Sequence, residues 1–260
     1  SVMSANNDTI RKTILVTVLL CVVCSVVVSA AAVILKPMQV ANKELDRKSN
    51  ILAAAGISDP SKSVDELFKQ ITTRYVDLET GKFVEMPSTY DEAKAAKDPQ
   101  QNIRLERNQD KAGIKTIARV QPVYLVEGAN GSVEKVVLPV HGKGLWSTLY
   151  GFLALEGDLN TVVGLGFYSH AETPGLGGEV DNPSWKALWP GKEVYGEDKT
   201  DPRIQLIKGS VDASTPDAQH KVDGLSGATL TANGVTNLVQ FWMGANGYAP
   251  FLNNLRAGEA

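Results

Sequence analysis

Between Thr13 and Leu35 the chain carries no charged side chain. An apolar run of about 23 residues exceeds the roughly 20 that a helix needs to cross a hydrocarbon core, where every backbone N–H and C=O must be paired internally. This predicts a transmembrane helix at 13–35 and confines the rest of the chain to one side of a bilayer. Arg11 and Lys12 precede the run, while Lys43, Arg47 and Lys48 alternate with Glu44 and Asp46 beyond Lys36. The charge difference is modest, but a short basic tail before a first helix places the N-terminus in the cytoplasm and the large domain outside. A cleavable signal peptide is the rival reading, because Ser29-Ala30-Ala31-Ala32 imitates a cleavage site. Its apolar region should span about 7–15 residues, however, and here Val33-Ile34-Leu35 continue the run. Cys21 and Cys24 have C-x-x-C spacing, yet inside an apolar helix they lack the further ligands that zinc or an iron–sulfur cluster requires. They read as small packing residues. The outer domain then has no thiol, and its stability must come from its core.

A net charge of −3 and the absence of a basic, aromatic-interleaved stripe argue against nucleic acid as a partner. There is no internal repeat and no low-complexity tract. Leu45, Ile51 and Leu52 mark a short amphipathic helix ending at Gly56. Ser63-Val64-Asp65-Glu66 is a capping box opening a second, in which Val64, Leu67, Phe68, Ile71, Tyr75 and Leu78 keep helical spacing. Met86 to Gly113 is polar and reads as a surface excursion. From Thr116 the pattern turns to strands: Val120–Val126, Val133–Val140, Leu149–Leu155 and Val162–Tyr168, joined by short turns that imply antiparallel pairing. A short helical piece around Trp185 to Trp189, a strand Arg203–Lys208, and a C-terminal helix from Thr229 with Leu230, Leu238, Val239, Trp242 and Met243 as core positions complete it. The predicted class is α+β: a tail 1–12, the transmembrane helix 13–35, a membrane-proximal helical segment and polar excursion 36–115, and a domain 116–260 with an antiparallel-rich sheet and flanking helices.

Two segments carry chemistry. Asp223-Gly224-Leu225-Ser226-Gly227-Ala228-Thr229 is a small-residue turn that runs into the last helix. The first turn of a helix offers unpaired N–H groups and the positive end of the dipole, which favours a phosphate; Gly227 and Ala228 leave room for a bulky group. The alternative is that Ser226 or Thr229 serves only as an N-cap. His170-Ala171-Glu172-Thr173-Pro174-Gly175-Leu176-Gly177-Gly178 follows a predicted strand, with glycines that permit close approach to a flat ligand and with polar groups at Glu172 and Thr173. As a dinucleotide fingerprint it fails, because no helix with a third glycine follows. His170 and Glu172 alone do not make a metal site, and Ser226 lacks a partner arrangement for nucleophilic catalysis, although His220 and Asp223 precede it. His141, His170 and His220 read as polar surface or loop support.

The first segment resembles the D-G-x-S-G-A-T flavinylation motif of the FMN-binding domain family, and the second resembles that family's H-x-E-T-P-G-L-G stretch. The resemblance implies FMN bound covalently through its phosphate to Thr229. Asp223, Leu225, Ser226, Gly227 and Ala228 would then surround the attachment, and Glu172, Thr173, Leu176 and Gly177 would line the isoalloxazine. Leu145 and Trp146 could lie against the ring, though Trp146 could equally be a core residue. Lys208 could favour reduced, anionic flavin or be merely a solvated lysine.

Together with the single anchor, these motifs make the whole chain similar to the C subunits of sodium-translocating NADH:quinone oxidoreductases. That resemblance implies an electron carrier in a bacterial inner-membrane pump, with its main domain periplasmic. Its partners would be the other membrane and peripheral subunits, and a separate flavin transferase using FAD and magnesium would install the FMN. The nicotinamide, quinone and sodium sites are not visible in this chain. The alternatives are the G subunit of the Rnf ferredoxin:NAD oxidoreductase complex, whose members are shorter across Met86 to Gly113, and a membrane-tethered scaffold without redox function.

Overall fold

A computed structural model describes residues 9–260; positions 1–8 of the predicted tail lie outside the described residues. The chain divides into two compact units between Asp46 and Arg47. The first is filled by most of helix α1 (Ile10–Ala54). It is the one described helix long and apolar enough to cross a membrane. Its large apolar side chains, Val22, Val28 and Ile34 among them, are exposed, the surface that hydrocarbon rather than water would cover. The separate helix expected around Leu45 to Gly56 does not exist, because α1 continues through Pro37 to Ala54.

The second unit, Arg47 to Ala260, begins with the buried end of α1 and with α2 (Val64–Phe68). The capping box is present: Glu66 N donates to Ser63 Oγ, and Ser63 N donates to Glu66 Oε2. The helix it opens stops at Phe68, and β1 (Ile71–Asp77) follows, then β2 (Lys82–Val84). The predicted helical continuation through Ile71, Tyr75 and Leu78 is therefore corrected. Ile71-Thr72-Thr73 favours extended backbone, and the pairing from Ile71↔Val126 to Asp77↔Val120 satisfies its backbone groups. The segment 36–115 also contains α3 (Glu92–Ala95) and β3 (Asn102–Arg104), which pairs with β4 (Thr116–Ala118). It is not a helical layer ahead of the sheet, since it supplies two strands of the main sheet itself.

Strands β5 (Val120–Glu127), β6 (Val133–Lys143), β7 (Thr148–Glu156) and β8 (Val162–Ser169) form where the strand-like runs and turns predict them. The main sheet runs β2-β1-β5-β6-β7-β8, with every pair antiparallel. Both faces are covered. Tyr124, Val126, Val137, Phe152 and Ala154 pack on Ile51, Leu52 and Leu67. Val123, Leu125, Leu138, Val140 and Leu153 point the other way, into the larger core. That two-sided burial explains the nearly continuous apolar runs of β5 and β7.

The larger core is closed by α4 (Pro183–Lys186), the parallel pair β9 (Gln205–Leu206) and β10 (Lys221–Val222), α5 (Thr229–Trp242) and α6 (Ala249–Ala257). The predicted strand Arg203–Lys208 shrinks to Gln205–Leu206, because its short β10 partner offers only two positions of register. On α5, Val235, Leu238, Val239 and Trp242 are buried as a helical stripe, and Met243 just beyond is buried too. Leu230 falls off that stripe and is 61% exposed, which corrects its placement in the core. Pairing between β5 and β6 reaches only Tyr124↔Val137, so the rest of that β6 edge needs other donors. Trp242 Nε1 donates to His141 O at 2.7 Å and Tyr248 Oη to Pro139 O at 2.6 Å, fixing the end of α5 and the start of α6 beside the strand. His141 is not a surface group: it stacks on Tyr150, lies 5.1 Å from Trp242, and burial lowers its pKa to about 4. His220 is buried too, with Nδ1 2.8 Å from Glu193 O.

Candidate functional site

Helix α5 starts at Thr229 with Ala228 in the N-cap position, and no side chain caps it. The N-cap role open to Ser226 and Thr229 is thus unfilled, and the amides of the first turn lack a side-chain acceptor. Gly227 has φ +71°, a conformation that glycine adopts without a Cβ penalty, and it turns the chain into the helix. Upstream, Asp223 Oδ1 accepts from Val211 N at 2.8 Å and Asp223 O accepts from Trp185 Nε1 at 3.0 Å. Asp223 therefore fixes the turn to the loop after β9. Leu225 and Ala228 are buried, whereas Ser226, Gly227 and Thr229 are exposed.

The second motif meets the first through a carboxylate. Glu172 is 5% exposed and accepts from Leu145 N, Trp146 N, Ser147 N, Ser147 Oγ and Thr231 Oγ1, the last at 2.7 Å. Burial opposes its charge, but the bonds from Thr231 and the three amides outweigh this and hold its pKa below the usual carboxylate value. All five partners are donors. Glu172 thus ties the loop 144–147, its own loop and the first turn of α5 together, and its carboxylate is occupied rather than presented to a ligand. Gly177 is required at this junction, since a Cβ there would come within 2.5 Å of Thr231 Oγ1. Leu176 stands over Gly227, 3.1 Å from where its Cβ would be. His170 Nδ1 accepts from Glu172 N at 3.2 Å, which leaves Nε2 to donate to Asp181 Oδ2 at 2.7 Å and brace the loop.

Beside Thr229 lies a cleft of about 790 Å³. Thr229, Asp223, Leu225, Ser226, Gly227 and Lys208 line it, as do Trp185, Leu188, Ser210 and Asn233, which sequence reading missed. Asn233 had a signal, because it lies four residues after Thr229 and so on the same helix face. Trp185 and Ser210 had none, being brought in by tertiary contacts alone. Glu172, Thr173, Leu176, Gly177, Ala228, Leu145 and Trp146 do not line the cleft. Of the residues around the first turn of α5, Leu145, Trp146, Leu176 and Leu230 are exposed, Trp146 at 70%. The two hydroxyls at the start of α5 differ: Thr231 is buried and bonded, while Thr229 is exposed at the cleft.

The FMN-binding domain family matches residues 144–244, from the Glu172-bound loop to just past α5. The chain is 53% identical to the C subunit of the Na(+)-translocating NADH-quinone reductase of Pseudomonas aeruginosa over 98% of its own length and 100% of that protein. It is 48% identical to the protein of the same name from Yersinia pestis over 97% and 96% of the two chains. This chain belongs to the C-subunit family of Na(+)-translocating NADH-quinone reductases. The crystal structure of Shewanella oneidensis NqrC superposes with a TM-score of 0.76 at 36% identity, covering 84% of this chain and 99% of that one. The C subunit from Parabacteroides distasonis gives 0.64 at 26% identity, covering 84% and 96%. Relatives of this family matching nearly end to end favour that assignment over the Rnf G subunit, and the FMN-binding domain match favours it over a scaffold without redox function.

Proposed function

We propose that this chain is the FMN-bearing electron-carrier subunit of a sodium-translocating NADH:ubiquinone oxidoreductase, with FMN esterified through its phosphate to Thr229. The observation that carries the attachment is an exposed threonine at an uncapped helix N-terminus on the edge of a large cleft, beside a second threonine already committed to a carboxylate. A phosphate on Thr229 Oγ would meet the free amides of the first turn and the positive end of α5. Ser226 and Gly227 border that phosphate, and Leu225 and Ala228 support the turn from the core. Thr173, Leu176 and Gly177 form the rim, with Leu145 and Trp146 as its outer apolar edge. Lys208 places a cation in the cleft, where it favours reduced flavin. Bound FMN supplies reversible electron transfer; the chain supplies position and field.

The chain is the acceptor in its own maturation. A separate transferase, using FAD and magnesium, joins Thr229 Oγ to the FMN phosphorus as the bond to AMP breaks, and AMP leaves. An ester retains the cofactor in a compartment where free FMN is scarce. Intact mass is expected to exceed that of the chain by one FMN less water, and the tagged chain is expected to co-purify with the other subunits of the sodium pump. An unmodified mass, or co-purification with a ferredoxin:NAD complex, would reverse the assignment.

The same reading places residues 1–12 in the cytoplasm, 13–35 across the bacterial inner membrane, and the FMN-binding domain in the periplasm. Both native cysteines lie within α1, so a cysteine added between Met86 and Gly113 is the only thiol outside it. It is expected to react with a membrane-impermeant reagent in intact spheroplasts. Labelling only after lysis would put the domain in the cytoplasm.

A further inference from the structure

The chain holds three Asn-Gly pairs, at 130–131, 233–234 and 246–247. In such a pair the glycine amide can attack the preceding side-chain carboxamide, because glycine has no Cβ to obstruct closure of the five-membered ring. Closure requires the glycine N–H to be freed and the local backbone to turn. Two of the pairs are held against this in the folded chain. Asn233 and Gly234 lie in the second turn of α5, where the helix ladder engages the Gly234 amide, and Gly234 is packed against Lys143 O. Gly247 is buried, donates to Gly244 O at 3.0 Å, and sits where a Cβ would run into Trp242 O.

The remaining pair occupies the turn from β5 to β6, where Ala129, Asn130, Gly131 and Ser132 are all exposed. Gly131 has φ +77°, and no atom lies within 4 Å of the place its Cβ would take. Its amide donates to Gly128 O at 3.0 Å, a bond at the surface that water can replace. Asn130 Oδ1 accepts from Ser132 N at 3.2 Å and from Ser132 Oγ at 2.6 Å. Two donors on one carbonyl oxygen make Cγ more electrophilic and stabilise the oxyanion that forms when a nucleophile adds to it. We infer that Asn130 is a self-modifying site, deamidated in the folded protein by attack of the Gly131 amide on Asn130 Cγ while Ser132 holds the carbonyl oxygen.

A solvent base takes the Gly131 amide proton as the N–Cγ bond forms; the Cγ–Nδ2 bond breaks, and Nδ2 leaves as ammonia with a proton from water. Water then opens the succinimide at either carbonyl, leaving aspartate or isoaspartate at position 130, with nothing oxidised or reduced. Either product adds a carboxylate to a turn flanked by Glu127 and Glu134, and isoaspartate also lengthens the main chain inside the loop that Gly128 N and Ser132 O close at 2.8 Å. The turn lies at the opposite end of β6 from Lys143 and the Glu172-bound loop, so the inference is independent of the Thr229 attachment.

The test incubates the full-length chain at neutral and mildly alkaline pH, followed by peptide mapping and by methyl labelling with an isoaspartyl methyltransferase. The same chain in urea, where all three pairs are free to react, shows that the assay detects each of them. In the folded chain the peptide containing Asn130 is expected to exchange an amino group for a hydroxyl in mass and to take the label, faster at the higher pH, while the peptides of Asn233 and Asn246 stay unchanged. Asn130→Gln should abolish the signal at this position, since the longer side chain would have to close a six-membered ring. Ser132→Ala should slow the reaction about fivefold, the effect of losing one hydrogen bond to the oxyanion. No product at Asn130 in the folded chain while the urea sample reacts, or comparable product at Asn233 or Asn246, would overturn the inference. An unchanged rate in Ser132→Ala would overturn the role given to Ser132.

Discussion

Thr229→Ala is expected to abolish the flavin fluorescence that stays with the denatured chain in a gel, while leaving the domain folded. The loss is complete because the alternatives nearby are poor. Thr231 Oγ1 is buried and donates to Glu172 at 2.7 Å, and Ser226 lies ahead of the helix rather than in its first turn. Thr229 is exposed and buries no side chain in the core, so removing its hydroxyl and methyl costs little stability. Thr229→Ser keeps the nucleophilic oxygen and should keep the flavin. Covalent flavin persisting on the alanine variant, mapped to Thr231 or Ser226, would refute the assignment.

The second large effect is expected at Glu172. Truncation to Ala strands three amides and two hydroxyls around a buried site, at a cost of about 3 kcal/mol or more, since each unpaired buried donor costs about 1–3 kcal/mol. Glu172→Gln is informative because every partner donates: its amide NH₂ must face at least one N–H, so the isostere does not rescue the alanine variant fully. The pH dependence follows in sign. The folded-state pKa is depressed, so the stabilisation is complete above the ordinary carboxylate value and is lost as pH falls through the lower folded value. Thermal melts from neutral to acid pH should show that loss in the parent and a flatter acid limb in the Gln variant. A Gln variant with parental melting and an unchanged acid limb would show that the carboxylate does not hold these loops.

How much of this was legible in sequence depends on the range of the interactions. The apolar helix over 13–35, the four strands from Val120 to Ser169 and the capping box at Ser63 follow from local pattern and are present, although α1 itself runs on to Ala54. The helical reading of Ile71 to Leu78 fails because apolar residues at 64, 67, 68, 71, 75 and 78 fit a helix equally well. What selects the strand is an edge on β5 more than 40 positions away. Leu230 fails as a core residue for a similar reason: apolar character is intrinsic, whereas the buried face of α5 is set by β6.

The sequence by itself determined an apolar run long enough to cross a membrane, the strand runs between turns and the two short motifs with Thr229 at the end of one, because these depend on composition and spacing within a few residues. Only the tertiary structure decided what the motifs do to each other. It set Glu172 as a splint between the loop at 145–147 and Thr231, separated the exposed Thr229 from the bonded Thr231, and opened a cleft onto Trp185, Ser210 and Asn233. Those outcomes depend on which donors meet a carboxylate across 59 positions of chain, and such a meeting is fixed by packing and by the need to pair buried polar groups, not by local preference.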